Sequence, residues 1–223
     1  MTTLSMPDAI AEAAFRLFAT QGYAATSVDD IAAAAGVSRS TFFRTYGSKE
    51  AVVFPEHDQI LRRVEERLHA TSADSALPAV TDAVKVVLFH YLAEGDRARE
   101  RYRLVSTVPA LRERELIGTA RYQQLFRRFL SEWGDGSPQS ELRAELMAAA
   151  VVAAHNRVLR RWLREETPDP EREVVEALDV VRRVFAEDRA PTGAVVVVAE
   201  GTPVEDIESA VRSALGGLAV PGP

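Results

Sequence analysis

The sequence predicts an all-α fold: an N-terminal three-helix unit containing a helix-turn-helix, a larger C-terminal helical domain, and a short β-strand in the tail. Three observations carry that prediction. Apolar residues recur at i, i+3/i+4 and i+7 through most of the 223 residues, the period of amphipathic helices. Serines head several of these runs and glycine or proline closes them, where caps and stops belong. Near the N-terminus two short runs are joined only by Ala35-Gly36-Val37, the tight glycine turn of a helix-turn-helix.

The elements follow in order. Ile10, Ala13, Ala14, Leu17 and Phe18 give a first helix over 7–21, with Pro7 at an opening position and Gly22 as the left-handed residue after its end. Ser27-Val28-Asp29-Asp30 sets an acid three residues after a hydroxyl cap. Val28, Ile31, Ala32 and Ala35 then form the apolar face of a second helix, which Gly36 stops. Ser38 caps a third, running to Tyr46; Gly47-Ser48 break the chain and cap a fourth from Lys49, and Pro55 bends or restarts it. A run over 56–69 places Ile60, Val64 and Leu68 on one face. Residues 71–78 (TSADSALP) are the clearest linker. Further helices are expected over 79–94, 98–108 with Pro109 as a stop, 111–133, 140–166 and 170–187. The β-branched run 194–199 (AVVVVA) reads as a strand or as an apolar extension lying on the body, followed by a helix over 204–215. The expected domains are 1–53, 54–190 and a tail, 191–223.

Composition excludes several functions. The chain is 47% hydrophobic and 27% charged, as expected of a soluble globular protein. It lacks cysteine, and with it disulfides, thiolate catalysis and Cys-based zinc sites. There is no Gly-rich phosphate loop, nucleophile elbow or zinc-binding helix, and His57, His69, His90 and His155 are scattered. No catalytic residue, metal or cofactor is expected; the chain reads as a non-enzyme. No apolar run reaches membrane-spanning length, and Asp8 and Glu12 fall where a secretion signal would be apolar, so a cytoplasmic location is expected. A net charge of −6 and a pI near 5.4 argue against a general polyanion binder. Locally the sign reverses: from Ser38 to Lys49 the chain carries Arg39, Arg44 and Lys49 and no acid.

In a helix-turn-helix the second helix enters the major groove of DNA and its first residues meet base edges. The residue string sharpens that reading. Phe15-Arg16-Leu17-Phe18, Gly22-Tyr23, Thr26 to Ala32, Ala35-Gly36-Val37-Ser38, Thr41-Phe42-Phe43, Tyr46 and Ser48-Lys49-Glu50 closely resemble the DNA-binding domain of the tetracycline-repressor (TetR) family, in type and spacing, over residues 7–53. The resemblance implies a homodimer whose two recognition helices read a palindromic operator in double-stranded DNA. It also implies a transcriptional regulator, most often a repressor, released by a small molecule.

Carried over by position, Ser38 caps the recognition helix, and Arg39, Ser40 and Thr41 at its start are base-edge candidates. Arg39 has the two donors that guanine accepts. Phe43, Thr45 and Lys49 hold positions that touch phosphates or thymine methyls, while Thr26 and Ser27 sit at a helix N-terminus that would hold a phosphate. Phe42 and Tyr46 read as core. The family commonly has Tyr where this chain has Phe43 and His where it has Thr45. Phosphate contact then shifts toward Arg44 and Lys49, at about 1 kcal/mol each.

The rest of the chain resembles the family only as a helical domain of suitable length. In the run over 140–166, Leu142, Leu146, Ala149, Ala153 and Asn156 share one face, and Val151, Val152, His155, Val158, Leu159 and Trp162 another. The last helix carries Val174, Leu178, Val181 and Phe185, with Val175, Val180 and Val184 beside them. Helices apolar on more than one side are buried against more than one neighbour, and their order in the family implies pairing with a second chain. A ligand pocket is sought among Phe89, Tyr91, Tyr102, Tyr122, Phe126, Phe129 and Trp133, with His90, His155 and Asn156 as polar anchors; the stripe from Tyr122 to Trp133 suits plain core as well. A mostly apolar cavity would take a hydrophobic or aromatic inducer. Arg97, Arg99, Arg101 and Arg103, interspersed with glutamates, read as a solvated surface. The competing function is a helical protein-interaction adaptor with no small-molecule response.

Overall fold

Serine side chains set the starts of the N-terminal helices. In a computed structural model, which describes residues 5–54, 57–70, 76–186 and 207–208, Ser5, Ser27, Ser38 and Ser48 cap α1 (Met6–Gln21), α2 (Val28–Ala34), α3 (Arg39–Thr45) and α4 (Lys49–Val53). Each hydroxyl accepts from a backbone N–H three residues on, satisfying an amide that the helix cannot. At α2 the cap is reciprocal: Asp30 N–H donates to Ser27 Oγ at 3.1 Å and Ser27 N–H donates to the Asp30 carboxylate at 2.9 Å. Two glycines turn the chain where a side chain would strain it. Gly22 has φ 85°, ψ 154°, a region essentially reserved for glycine, and Gly36 has φ 68° in the turn between α2 and α3.

The body comprises α5 (His57–His69), α6 (Ala76–Ala83), α7 (Lys85–Glu94), α8 (Asp96–Thr107), α9 (Pro109–Ser131), α10 (Pro138–Leu163) and α11 (Pro170–Ala186). Among the described residues there is no strand. Two elements differ from the sequence expectation. The linker ends earlier, because α6 already begins at Ala76, with Pro78 in its first turn where a missing N–H costs nothing. The single helix expected over 79–94 is two, divided at Val84, whose torsions (φ −64°, ψ −25°) stay helical and so leave the apolar period unbroken. Pro109 plays both of its roles, closing α8 and opening α9 at the first helical position. The bend at Pro55, linker residues 71–75, the strand over 194–199 and all but two residues of the helix over 204–215 lie outside the described residues.

Residues Met1–Arg182 form one compact unit and Arg183–Pro223 another. Within the first, α9 and α10 make the most extensive helix pair. Segment 76–94 is long and apolar enough by composition to cross a membrane; here it buries Ala79, Val80, Ala83, Val87 and Leu88 inside the body. The head made of α1–α4 has its own apolar centre of Ile10, Ala14, Phe15, Phe18, Ile31, Phe42, Val52 and Val53. That centre does not stop at the head: Val105 of α8 and Leu111 of α9 complete it, 3% and 0% exposed. The packing therefore runs across residue 53.

Replacing Gly22 with Ala leaves space for the new methyl but forces a strained backbone. We expect Gly22→Ala to lower unfolding stability by about 1–3 kcal/mol, read as a lower urea midpoint with unchanged slope.

Candidate DNA interface and interior cavity

Helix α3 presents one polar face. Arg39, Ser40, Phe43 and Arg44 are exposed, Thr41 and Thr45 half-buried, and Phe42 fully buried among the head's apolar residues. Tyr46, half-buried, donates from its hydroxyl to the Pro7 carbonyl at 2.8 Å, tying the end of α3 to α1. The Arg39 guanidinium donates to both Asp29 carboxylate oxygens at 2.7 and 2.6 Å and lies 5.3 Å from the Phe43 ring centroid. Both partners of that pair are 62% exposed, and an exposed pair is worth at most about 1 kcal/mol. A bidentate guanine contact discriminates by about 1–3 kcal/mol, so DNA can outbid Asp29 for this arginine. Arg44 pairs with no acid in a salt bridge among the described residues and stays available.

Several expected contact residues are committed elsewhere. Thr26 is 1% exposed; its hydroxyl donates to the Gly22 carbonyl at 2.8 Å and accepts from Gln21 at 3.2 Å. At Ser27 the anion expected at the helix start is already supplied by Asp30, and the hydrogen bonds from Ser27 hold the Asp30 carboxyl below its ordinary range. Lys49 does not reach outward. Its ammonium donates to the carbonyls of Tyr23 and Thr26 at 2.8 and 2.9 Å and sits 4.1 Å from the Tyr23 ring centroid. Ser38 spends its hydroxyl on the Thr41 N–H at 3.1 Å, and the two hydroxyls lie 2.9 Å apart. Thr45 donates back to the Thr41 carbonyl at 2.9 Å. The outward chemistry is thus concentrated on Arg39, Ser40, Phe43 and Arg44.

A second site lies inside the body. A cavity of about 70 Å³ is enclosed by α7, α8, α9 and α10, with Phe54 and Val84 at its edge. Tyr91, Tyr102, Tyr122, His155 and Asn156, five of the residues proposed from sequence, line it. The other five, Phe89, His90, Phe126, Phe129 and Trp133, do not. Phe89 is 48% exposed on the outer side of α7, Phe126 is fully buried in the packing of α9, and Phe129 stacks with Trp133 and His69 at 6.2 and 6.3 Å.

The wall is more polar than expected. It includes Arg101, Glu115 and Arg160, none of which the sequence reading selected. Arg101 is 6% exposed and ion-pairs with Glu94. Its alternation with other arginines suggests a surface position, yet Ala98, Arg101 and Val105 are spaced i, i+3, i+7 and all three are buried. That spacing was the available signal. Burial raises the Glu115 carboxyl above its ordinary range, with Arg160 and Arg112 opposing. An open groove of about 550 Å³, lined partly by Arg157, Arg161 and Arg164, shares Thr119, Val152, Asn156 and Arg160 with the cavity. Those four residues are the wall between cavity and groove.

A helix-turn-helix with an exposed cationic face, joined to a helical body that encloses a small cavity, is the architecture of a DNA-binding regulator. Comparison with known proteins agrees. Residues 10–54 match the bacterial regulatory proteins of the tetR family, and residues 74–186 match the MftR C-terminal domain. The chain belongs to the TetR family and is a transcriptional regulator, not an enzyme. It is 28% identical over 179 residues to the transcriptional regulator MftR of Mycobacterium tuberculosis, covering 78% of this chain and 88% of that one. It is also 28% identical over 195 residues to the regulator TcmR of Streptomyces glaucescens, covering 82% and 86%. Among solved structures the SmeT–triclosan complex has a TM-score of 0.58 at 20% identity, covering 88% of this chain and all of that one, a likeness of fold.

His155 gives the cavity a pH signature. Burial pulls its imidazole down to about 4, while the hydrogen bond with Asn156 opposes the shift. The unfolded chain takes up a proton near pH 6.5 that the folded chain refuses until about 4, so stability falls as pH drops through that window. We expect wild type to lose about 2 kcal/mol more than His155→Leu between pH 7 and pH 5, measured as the difference between their urea unfolding free energies. Equal losses in the two proteins would place the proton elsewhere.

Proposed function

We propose that the protein is a homodimeric repressor that reads a palindromic operator with α3 and lets go when a small molecule occupies the interior cavity. One observation carries the reading: Val105 lines the cavity and also belongs to the apolar centre of the head, and Phe54, packed against that centre, lines the cavity from the end of α4. A ligand that displaces either side chain moves the floor on which α1–α4 rest. A coupling of about 1–3 kcal/mol, five- to 150-fold in operator affinity, is the ordinary scale of such linkage, and the two recognition helices of a dimer amplify a small tilt into lost register.

Dimerisation is proposed through α10 and α11. Leu142 and Leu146 of α10 are 56% and 53% exposed, and Val175 and Val180 of α11 are 42% and 51% exposed. The opposite face of α10, with Val151, Val152, His155, Val158 and Leu159, is buried in the body. Small side chains at Ala149 and Ala153 lie along the outward stripe with the two leucines, permitting close approach of a second copy.

The experiment is to sequence genomic DNA retained by the purified protein and measure binding to the recovered site. We expect an inverted repeat, and we expect Arg39→Ala to weaken it by about five- to 150-fold with relaxed preference at one base pair of each half-site. Arg44→Ala should weaken all sequences alike and flatten the salt dependence. Retention of random sequence, or full affinity in Arg39→Ala, would defeat the reading. For the dimer, Leu142→Glu with Leu146→Glu should halve the mass seen in sedimentation while preserving helicity.

A further inference from the structure

The chemistry of the cavity wall specifies more than a hydrophobic guest. Two residues that line it each carry a buried polar atom with no hydrogen-bond partner among the described residues: Nε2 of His155 and Nε of Arg101. Both side chains are more than nine-tenths buried, at 3% and 6% exposure, and a buried polar atom left unpaired costs about 1–3 kcal/mol. Their polarities differ. His155 Nδ1 lies 3.1 Å from Asn156 Oδ1, which takes the ring proton and leaves Nε2 as a lone pair that needs a donor. Arg101 Nε carries a hydrogen that needs an acceptor.

Charge balance narrows the guest further. Arg101 is already matched by Glu94, and Glu115 stands on the same wall near Arg160. A further buried anion would have no free counter-charge beside Arg101, and an uncompensated buried charge is strongly unfavourable. Aromatic surface is abundant, from Tyr91, Tyr102 and Tyr122. The space, about 70 Å³, is smaller than the cavity of about 150 Å³ that binds benzene, so a single ring is the most it takes, and it enters by displacing side chains as the proposed function requires.

We infer that the cavity takes a neutral, single-ring phenol bearing a carbonyl, whose hydroxyl donates to His155 Nε2 and whose carbonyl oxygen accepts from Arg101 Nε. The inference rests on the cavity being the effector site of the proposed function, and it replaces the apolar inducer expected from sequence with a bifunctional polar one.

The test is calorimetric titration of the full-length protein with the 2-, 3- and 4-hydroxyacetophenones. Controls are the methoxyacetophenones, which lack the donor; the ethylphenols, which lack the acceptor; the hydroxybenzoates, which are anions; and ethylbenzene. We expect at least one hydroxyacetophenone to bind, and its methoxy, ethyl and carboxylate counterparts to bind at least tenfold more weakly. His155→Leu should abolish the preference for hydroxy over methoxy while Arg101→Lys preserves it; if either variant fails to fold, the ligand comparison on wild type carries the test alone. The inference is overturned if no member of the panel binds, if ethylbenzene binds as well as the best phenol, or if a hydroxybenzoate binds most tightly. DNA release is read separately, in a gel shift with the recovered operator. A compound that binds as expected but leaves the operator occupied defeats the regulatory reading and leaves the ligand assignment standing.

Discussion

The junction of α8 with α9 is the point on which the structure turns. Val105 and Leu111 leave the body and complete the apolar centre of the head, beside Ile10, Phe18 and Phe42. Full burial of such side chains is worth about 1.5–3 kcal/mol each, so two of them fasten the head at a strength comparable with the coupling a ligand must exert. A much larger shared core would hold the head fixed whatever occupied the cavity. A smaller one would let the head wander and lose the geometry that a two-fold DNA site demands. The packing that joins reader to sensor is therefore of the right size to be biased.

Within the head, electrostatics does structural work before it does recognition. Tyr23, in the loop between α1 and α2, donates from its hydroxyl to Glu50 at 2.9 Å while Lys49 binds its carbonyl and caps its ring. Burial, then the contact with Glu50, pushes the phenol well above its ordinary range, so this hydroxyl stays a donor. The clamp joins the loop before α2 to the start of α4, and α3 is held between them. The Lys49 ammonium is thereby spent within the head, and the exposed cations of α3 are Arg39 and Arg44. A protein with a net charge of −6 meets phosphates with a small cationic face; the sign of the whole molecule matters less than its distribution.

Much of the head was legible in the sequence because local rules suffice there. Serine caps, the Ser27–Asp30 reciprocity, the glycine turn and the buried Phe42 all follow from residues within a few positions of one another. The side-chain commitments were not legible, because they are long-range. Lys49 meets Tyr23 and Thr26 across more than twenty residues of sequence, and no spacing rule announces it. The cavity was half legible for a similar reason. Aromatic residues at helical spacing mark buried faces, but they do not separate the residues that fill a core, Phe126 and Phe129, from those that rim a void, Tyr91 and Tyr122. Arg101 differs again: it alternates with other arginines along the chain, yet it lies one turn after Ala98 and one turn before Val105 on a buried stripe.

The same arginine explains why the interior is not simply closed. An apolar residue at position 101 would pack against Tyr91 and Val105 and need no partner. Arg101 instead requires Glu94, and between them they leave the Arg101 Nε hydrogen and one Glu94 oxygen without a hydrogen bond; that oxygen lies 3.7 Å from His90 Nε2. Replacing a buried ion pair with hydrophobic side chains is often neutral or stabilising, so stability alone gives no reason to keep this one. A polar wall that is incompletely satisfied without a guest does give a reason. It makes the empty state the less comfortable of the two, and it ties that discomfort to α8, the helix that also carries Val105 into the head. On the proposed function, satisfying Arg101 from inside the cavity would act on the helix that also supports the head, and recognition of the guest and control of the head would be one packing problem on that helix.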